Sequence, residues 1–205
     1  GIMVHPERGF KSIAGVFNSP GTLAIQNGAP HTLFLQAKFG KAKVKLVPYP
    51  GGIATFLTDS NYSQQCFVTS EPLLAKKKSV PAKSFLIADE GFKPYGTVVI
   101  ARRRYVEKNQ KQTRDLIDAI RAGWQEYLRA PETANARMAK LNPAMDAETM
   151  KEAAEVQKPF IIAANAPAQE LGKMTVDRWT TLVEQLYDIK LIKTKPAAEK
   201  LYQNF

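Results

Sequence analysis

Only one cysteine, Cys66, and two histidines, His5 and His31, occur in 205 residues. A single cysteine cannot build an intrachain disulfide framework. With so few soft and imidazole donors, and no His, Cys, Asp and Glu cluster at ligand spacing, a zinc site or any other metal centre is not expected. No apolar run approaches the roughly 20 residues a membrane-crossing helix needs. Internal repeats and low-complexity tracts are missing too, which removes solenoids and biased linkers from consideration. The opening stretch GIMVHPERGF lacks the basic region and long apolar core of a secretory signal.

What is present is ordinary for a globular protein: 44% hydrophobic and 23% charged residues. Basic residues exceed acidic ones, 29 to 19, giving a formal net charge of +10. They are dispersed over Lys38, Lys41, Lys43 and Lys45, then Lys76 to Lys78, then Arg102 to Arg104. Nucleic-acid binders concentrate charge on a stripe interleaved with aromatic side chains. The dispersal therefore predicts solvated faces with a general attraction for anions, and no nucleic-acid partner.

The stretch Thr22 to Thr32, TLAIQNGAPHT, organises the reading. Leu23 to Gln26 reads as a strand, Asn27 to Pro30 as a turn, and His31 to Phe39 as a helix ended by Gly40. The rhythm then repeats. A strand over Val44 to Val47 leads through Pro48-Tyr49-Pro50-Gly51-Gly52 to a helix over Ile53 to Leu57. A strand over Gln65 to Thr69 leads through Ser70-Glu71-Pro72 to a short helix ending at Lys76 to Lys78, and a strand over Ser84 to Ala88 follows. Alternation of this kind predicts βαβ units and a mainly parallel sheet. Residues 6 to 21 are rich in turn formers, and Ile2-Met3-Val4 is a short strand-like run.

After DEGFKPYG, residues 89 to 96, the character changes. An apolar strand is expected over Thr97 to Ala101, then a helical turn over Tyr105 to Lys108, with Asn109 as the N-cap of the next helix. That helix is long and amphipathic and runs to Leu128, with Leu116, Ile117, Ile120, Trp124, Tyr127 and Leu128 on one side. Pro131 opens another helix, stopped by Asn142-Pro143, and Asp146 caps a third over Ala147 to Gln157. A loop with Asn165, Pro167 and Gly172 precedes a last helix over Thr175 to Leu186.

The ordered segments VKLVPYPGGIATFL, QCFVTSEPLLAKKK, FLIADEGFKPYGTVVIARRRYVEKN, GWQEYL and TVDRWTTLVEQLYDIKLI resemble the SsuA/THI5-like (NMT1-like) solute-binding proteins of ABC importers, the nitrate/sulfonate/taurine group. The resemblance implies an α/β, periplasmic-binding-protein-like (type 2) fold: one complete βαβ lobe plus the helical C-terminal part of the other lobe. It divides the chain into 1–9, the end of a lobe-one strand and first crossover; 10–90, lobe two; 91–96, the second crossover and hinge; and 97–205, a strand and helices of an incomplete lobe one. About 90 residues of the family pattern have no counterpart. The strand Thr97 to Ala101 would then be a bare edge, which predicts a dimer or a partner segment supplying strands.

The same resemblance implies a binding protein without catalysis or cofactor, working extracytoplasmically (in a periplasm) and tied to the membrane through an ABC permease. Its ligand would be a small sulfonate- or taurine-like solute, or an amino-heterocycle resembling the thiamine pyrimidine. Carried over by position, the contacts are Asn27, Gly28, His31 and Thr32 at the first turn and Thr69, Ser70 and Glu71 at the third, with Tyr95 at the hinge. Each has a structural alternative. Asn27, His31 and Thr32 can cap their own helix, Glu71 can serve the helix dipole, and Tyr95 can be packing. If Glu71 lines the cleft, a zwitterion or amino-heterocycle suits it better than nitrate, because like charges repel. Two other readings stay open. One is a ligand-sensing effector domain of a regulator. The other is an enzyme like the thiamine-pyrimidine synthases, which carry a cysteine-rich iron-binding stretch where QQCFVTSEP has Cys66 alone.

Overall fold

The computed structural model describes residues 1–142, 145–162 and 167–205, so Pro143 and Asn165, expected at a helix stop and in a loop, lie outside the described residues. The chain forms two compact units: Gly1–Lys93 with Asp177–Ala198, and Pro94–Val176 with Glu199–Phe205.

The first unit is built on a five-stranded sheet. Its strands are β1 (Ile2–Val4), β2 (Thr22–Ala24), β3 (Lys45–Val47), β4 (Tyr62–Gln65) and β5 (Lys83–Phe85), in the order β3-β2-β4-β1-β5. β2 runs parallel to β3 and β4, with Leu23 opposite Leu46 and Ser63, while β1 runs antiparallel to β4 and β5. The mainly parallel sheet thus contains one reversed strand.

Alternation along the strands explains the layers. Ile2, Val4, Leu23 and Ile25 join one buried cluster with Ile13, Val16, Phe17, Leu35 and Val44. Met3 and Ala24, pointing the other way, join a second with Phe56, Tyr62, Cys66 and Ala75. α1 (Ile13–Phe17) and α2 (Pro30–Phe39) supply buried residues to the first cluster, α3 (Ala54–Thr58) and α4 (Glu71–Lys77) to the second. Both faces of the sheet are therefore covered, as parallel strands require.

Three local expectations are corrected. First, α1 forms in the stretch read as turns, because the Ser12 hydroxyl accepts from Gly15 N at 3.2 Å and caps it. Second, β4 lies over Tyr62–Gln65, ahead of the apolar QCFVT run. Its Ser63 and Gln64 are only 1% exposed. Gln64 is tolerated there because Nε2 donates to the Gly52 carbonyl at 2.9 Å. The apolar run extends the pairing only at Cys66, which exchanges bonds with Gly1 at 2.9 and 2.8 Å, before the chain turns with Ser70 N donating to Phe67 O at 2.9 Å. Third, the last strand is shorter and earlier, and a 3-10 turn over Ile87–Glu90 replaces its end.

The second unit is helical. α5 (Arg103–Lys108), α6 (Gln110–Arg129), α7 (Glu132–Leu141) and α8 (Ala147–Ile161) succeed one another. The last helix, α9 (Val176–Asp188), belongs to the first unit but for its opening residue. The strand expected over Thr97 to Ala101 does not form, and Ile100 is 87% exposed. A lone extended segment has no ladder without a neighbour, and this unit has no strand among the described residues. Asn109 stands at the N-cap position of α6, where its carbonyl accepts from Thr113 N at 2.9 Å, but its side chain makes no capping bond to that helix. Its Nδ2 instead donates back to Tyr105 O at 2.9 Å, at the end of α5. Asp146 caps α8 as expected, accepting from Thr149 N at 2.8 Å. A polar chain joins three helices: Gln157 Nε2 donates to the Tyr127 hydroxyl at 3.1 Å, which donates to Asn135 Oδ1 at 2.9 Å.

The apolar side of α6 is uneven in burial, Leu116 being 53% exposed, whereas Leu35 of α2 is fully buried. Leu35→Ala is therefore expected to destabilise the protein by about 2–5 kcal/mol. Leu116→Ala should stay within about 0.5 kcal/mol of wild type. Urea unfolding monitored by circular dichroism compares the two.

Candidate functional site

Because β2, β3 and β4 are mutually parallel, the turns that follow them leave the same end of the sheet. Ligands of open α/β sheets collect at that end. The first turn spans residues 25–29, the second 48–53 and the third 66–70, and each feeds a helix: α2, α3 and α4. Gly28 has φ +72° and Gly52 φ +70°, and a Cβ at either would meet nothing within 4 Å. Both positions need left-handed backbone, and both face open space.

The first turn is held from three sides. Ile25 N donates to Val47 O at 2.9 Å. Gln26 N donates to Gln65 Oε1 at 2.6 Å, and the Thr32 hydroxyl donates to Gln26 O at 2.7 Å. Thr32 is 1% exposed, so its hydroxyl belongs to the turn and not to its outer surface. Asn27 and Gly28 form the exposed tip. Pro30 opens α2 without an N–H, Ala29 N donates to Gln26 O at 3.3 Å and Leu33 N to Ala29 O at 3.0 Å. The amides of His31 and Thr32 are left without an intrahelical acceptor, which favours a negative group at the tip by about 0.3–1 kcal/mol. His31 is half-buried, with Nε2 at 3.4 Å from Gln65 Oε1. Burial holds its imidazole below the usual range, partly opposed by that hydrogen bond.

The second and third turns are tied to each other by Glu71. Its Oε1 accepts from the Tyr49 hydroxyl at 3.0 Å and its Oε2 from Phe67 N at 2.9 Å. The Tyr49 hydroxyl also lies 3.4 Å from Gly52 O. Burial, reinforced by the Glu71 carboxylate, pushes the Tyr49 phenol up to about 12, so it stays a donor at neutral pH. Both oxygens of Glu71 thus hold the frame. Thr69 and Ser70 are half-buried beside them, and the Ser70 side chain makes no capping bond to α4. Phe67 stands 78% exposed in the same turn.

Seven of the eight residues expected at the site therefore sit at one sheet end, Asn27, Gly28, Thr69 and Ser70 on two turns and His31, Thr32 and Glu71 in the first turns of the helices that follow them. Tyr95 belongs to the second unit, where its hydroxyl accepts from Thr175 N at 2.7 Å. Sequence reasoning missed Tyr49, Gln64, Gln65 and Phe67. The available signals were the Gln64-Gln65 pair just before a turn and the Gly51-Gly52 pair in the segment between.

Cys66 is buried, with Sγ 3.8 Å from Ser84 Oγ. Burial pushes its thiol up to about 11, which keeps it protonated and unreactive at neutral pH. Among the described residues, no three His, Cys, Asp or Glu side chains gather where they could hold a metal ion. No described helix is long and apolar enough to cross a membrane.

The arrangement is the fold of the type 2 periplasmic binding proteins. The alkanesulfonate-binding protein SsuA from Xanthomonas axonopodis pv. citri, bound to MOPS, superposes with a TM-score of 0.62 at 15% identity, over 97% of this chain and 67% of that one. The family model described as NMT1/THI5 like matches residues 27–134, more than half of the 205, and the chain belongs to that family. No curated protein sequence matches it.

Two outcomes are expected from the geometry. Thr32→Val removes the only bond that the side chain gives Gln26 O and should cost about 1 kcal/mol in urea unfolding. For His31, the folded state binds the proton less readily than the unfolded chain. Stability should then be full above the ordinary imidazole range and fall as pH drops through it toward the lowered folded value. Between about pH 7.5 and about pH 5.5 the urea midpoint of wild type should drop more than that of His31→Gln; an equal drop contradicts the assignment.

Proposed function

We propose that this protein is the extracytoplasmic solute-binding component of an ABC importer. It traps a small sulfonate- or taurine-like solute, or an amino-heterocycle, and presents it to a membrane permease. The observation that carries this reading is the convergence of three open turns at one end of a parallel sheet, cross-braced by Gln65 and Glu71. Such a frame is preorganised: its donors do not need to be ordered when a ligand arrives.

The proposed division of labour is simple. The Asn27–Gly28 tip and the first-turn amides of α2 take the acidic or electron-rich end of the solute. Thr32, Gln65 and Glu71 hold those groups in place. Thr69 and Ser70 line the neighbouring turn. The hinge is assigned to residues 91–96, where one unit gives way to the other between Lys93 and Pro94. Tyr95 lies in that stretch. Closure about such a hinge is how two-lobed receptors enclose a ligand. Cysteine-dependent catalysis is disfavoured, because the sole cysteine is buried and its thiol is held protonated.

The test is thermal unfolding of the full-length protein with taurine, alkanesulfonates, nitrate and aminopyrimidines. At about 100-fold excess over Kd, a cognate solute adds about 2.7 kcal/mol of stability. Gly28→Val, which forces a β-branched residue into left-handed backbone, should remove the shift. A folded protein whose melting temperature responds to none of these classes would overturn the proposal.

A further inference from the structure

The hydrogen bonds around Gln65 determine more than the shape of the turn. Gln65 Oε1 lies 2.6 Å from Gln26 N. A backbone amide only donates, so this side-chain atom is the carbonyl oxygen and not the amide nitrogen. The same oxygen lies 3.4 Å from His31 Nε2. An amide oxygen has no hydrogen to give, so the contact is attractive only if Nε2 carries the proton. The alternative tautomer would set two lone pairs against each other. Burial favours the uncharged ring. In a neutral imidazole protonated at Nε2, Nδ1 is a bare acceptor.

That acceptor is available. His31 Nδ1 has no hydrogen-bond partner among the described residues, and it is not sealed from solvent, since the partnerless buried nitrogens and oxygens do not include it. It stands on the second residue of the first turn of α2, three residues from Gly28 and its open space. The flanking groups differ in kind from it: the helix amides donate, and Nδ1 accepts.

The geometry points to His31 as the residue that selects for a solute bearing a hydrogen-bond donor, an amine or an amino-substituted ring, by accepting that hydrogen at Nδ1. This rests on the solute-binding proposal and narrows its ligand class. A donor-bearing solute satisfies Nδ1, whereas an isostere with a methyl group in the same place strips water from it and returns nothing. Gln65 acts here as a positioning residue, because it sets the tautomer and does not itself meet the solute.

The experiment uses two near-isosteric pairs, taurine against propanesulfonate and aminomethylpyrimidine against dimethylpyrimidine. Binding to the full-length protein is measured by calorimetry and by thermal shift. In at least one pair the donor-bearing member should bind roughly tenfold tighter to wild type. His31→Leu should abolish that preference, while His31→Asn, which retains an acceptor near the Nδ1 position, should keep most of it. Separately, the nitrogen-15 spectrum of the free protein's imidazole, assigned by loss of the signal in His31→Leu, should show protonated Nε2 and bare Nδ1 at neutral pH. Equal affinity within each pair, an unchanged preference in His31→Leu, or a protonated Nδ1 overturns this inference while leaving the solute-binding reading standing. Absence of binding by all four compounds and by the wider panel overturns both.

Discussion

A sheet covered on both faces leaves its polar strand residues one outlet, the ends. Every residue of β4 between Tyr62 and Gln64 is buried, and two of those three are polar. An unsatisfied amide in such a place costs about 1–3 kcal/mol. Gln64 and Gln65 avoid that cost by reaching forward, one to Gly52 O and the other to Gln26 N. The central strand thereby grips the turns that follow β2 and β3. The geometry of the candidate site is a by-product of satisfying the interior.

Glu71 extends the same logic. A carboxylate near a proposed anion-accepting tip would ordinarily be counted against anions. Here its two oxygens already accept from a phenol and a backbone amide, from Tyr49 and Phe67. Its charge is distributed over donors that belong to the frame, and its role there is mechanical first. The exposed Phe67 in that turn is held at its backbone by the same carboxylate.

Much of the first unit was legible in the chain itself. The strand–turn–helix succession from Thr22 to Lys78 was visible because Gly, Pro and Asn punctuate apolar runs, and Gly28 marked an open turn. β4 was misplaced because apolarity was taken as the mark of a central strand, and this one is specified by side-chain hydrogen bonds instead. α1 was missed because Gly15 sits inside it and turn formers surround it, and a capping serine outweighed both. The strand expected over Thr97 to Ala101 had the right composition, but composition does not supply a neighbour. At the site, the tip residues could be read from local sequence. Their braces could not, since Gln65 acts on a residue 39 positions away and Glu71 on one 22 positions away.

In the second unit, Gln157, Tyr127 and Asn135 form a relay in which each group donates in the same sense, from α8 through α6 to α7. Dipoles aligned head to tail reinforce one another, so losing the middle hydroxyl weakens both ends together. Asn135 lies nearly out of reach of water and has no cheap substitute partner. The three helices are therefore bound to a common fate: local fluctuations that free one of them expose a polar group on each of the others. Opening there is an event of the whole helical layer and not of its separate members.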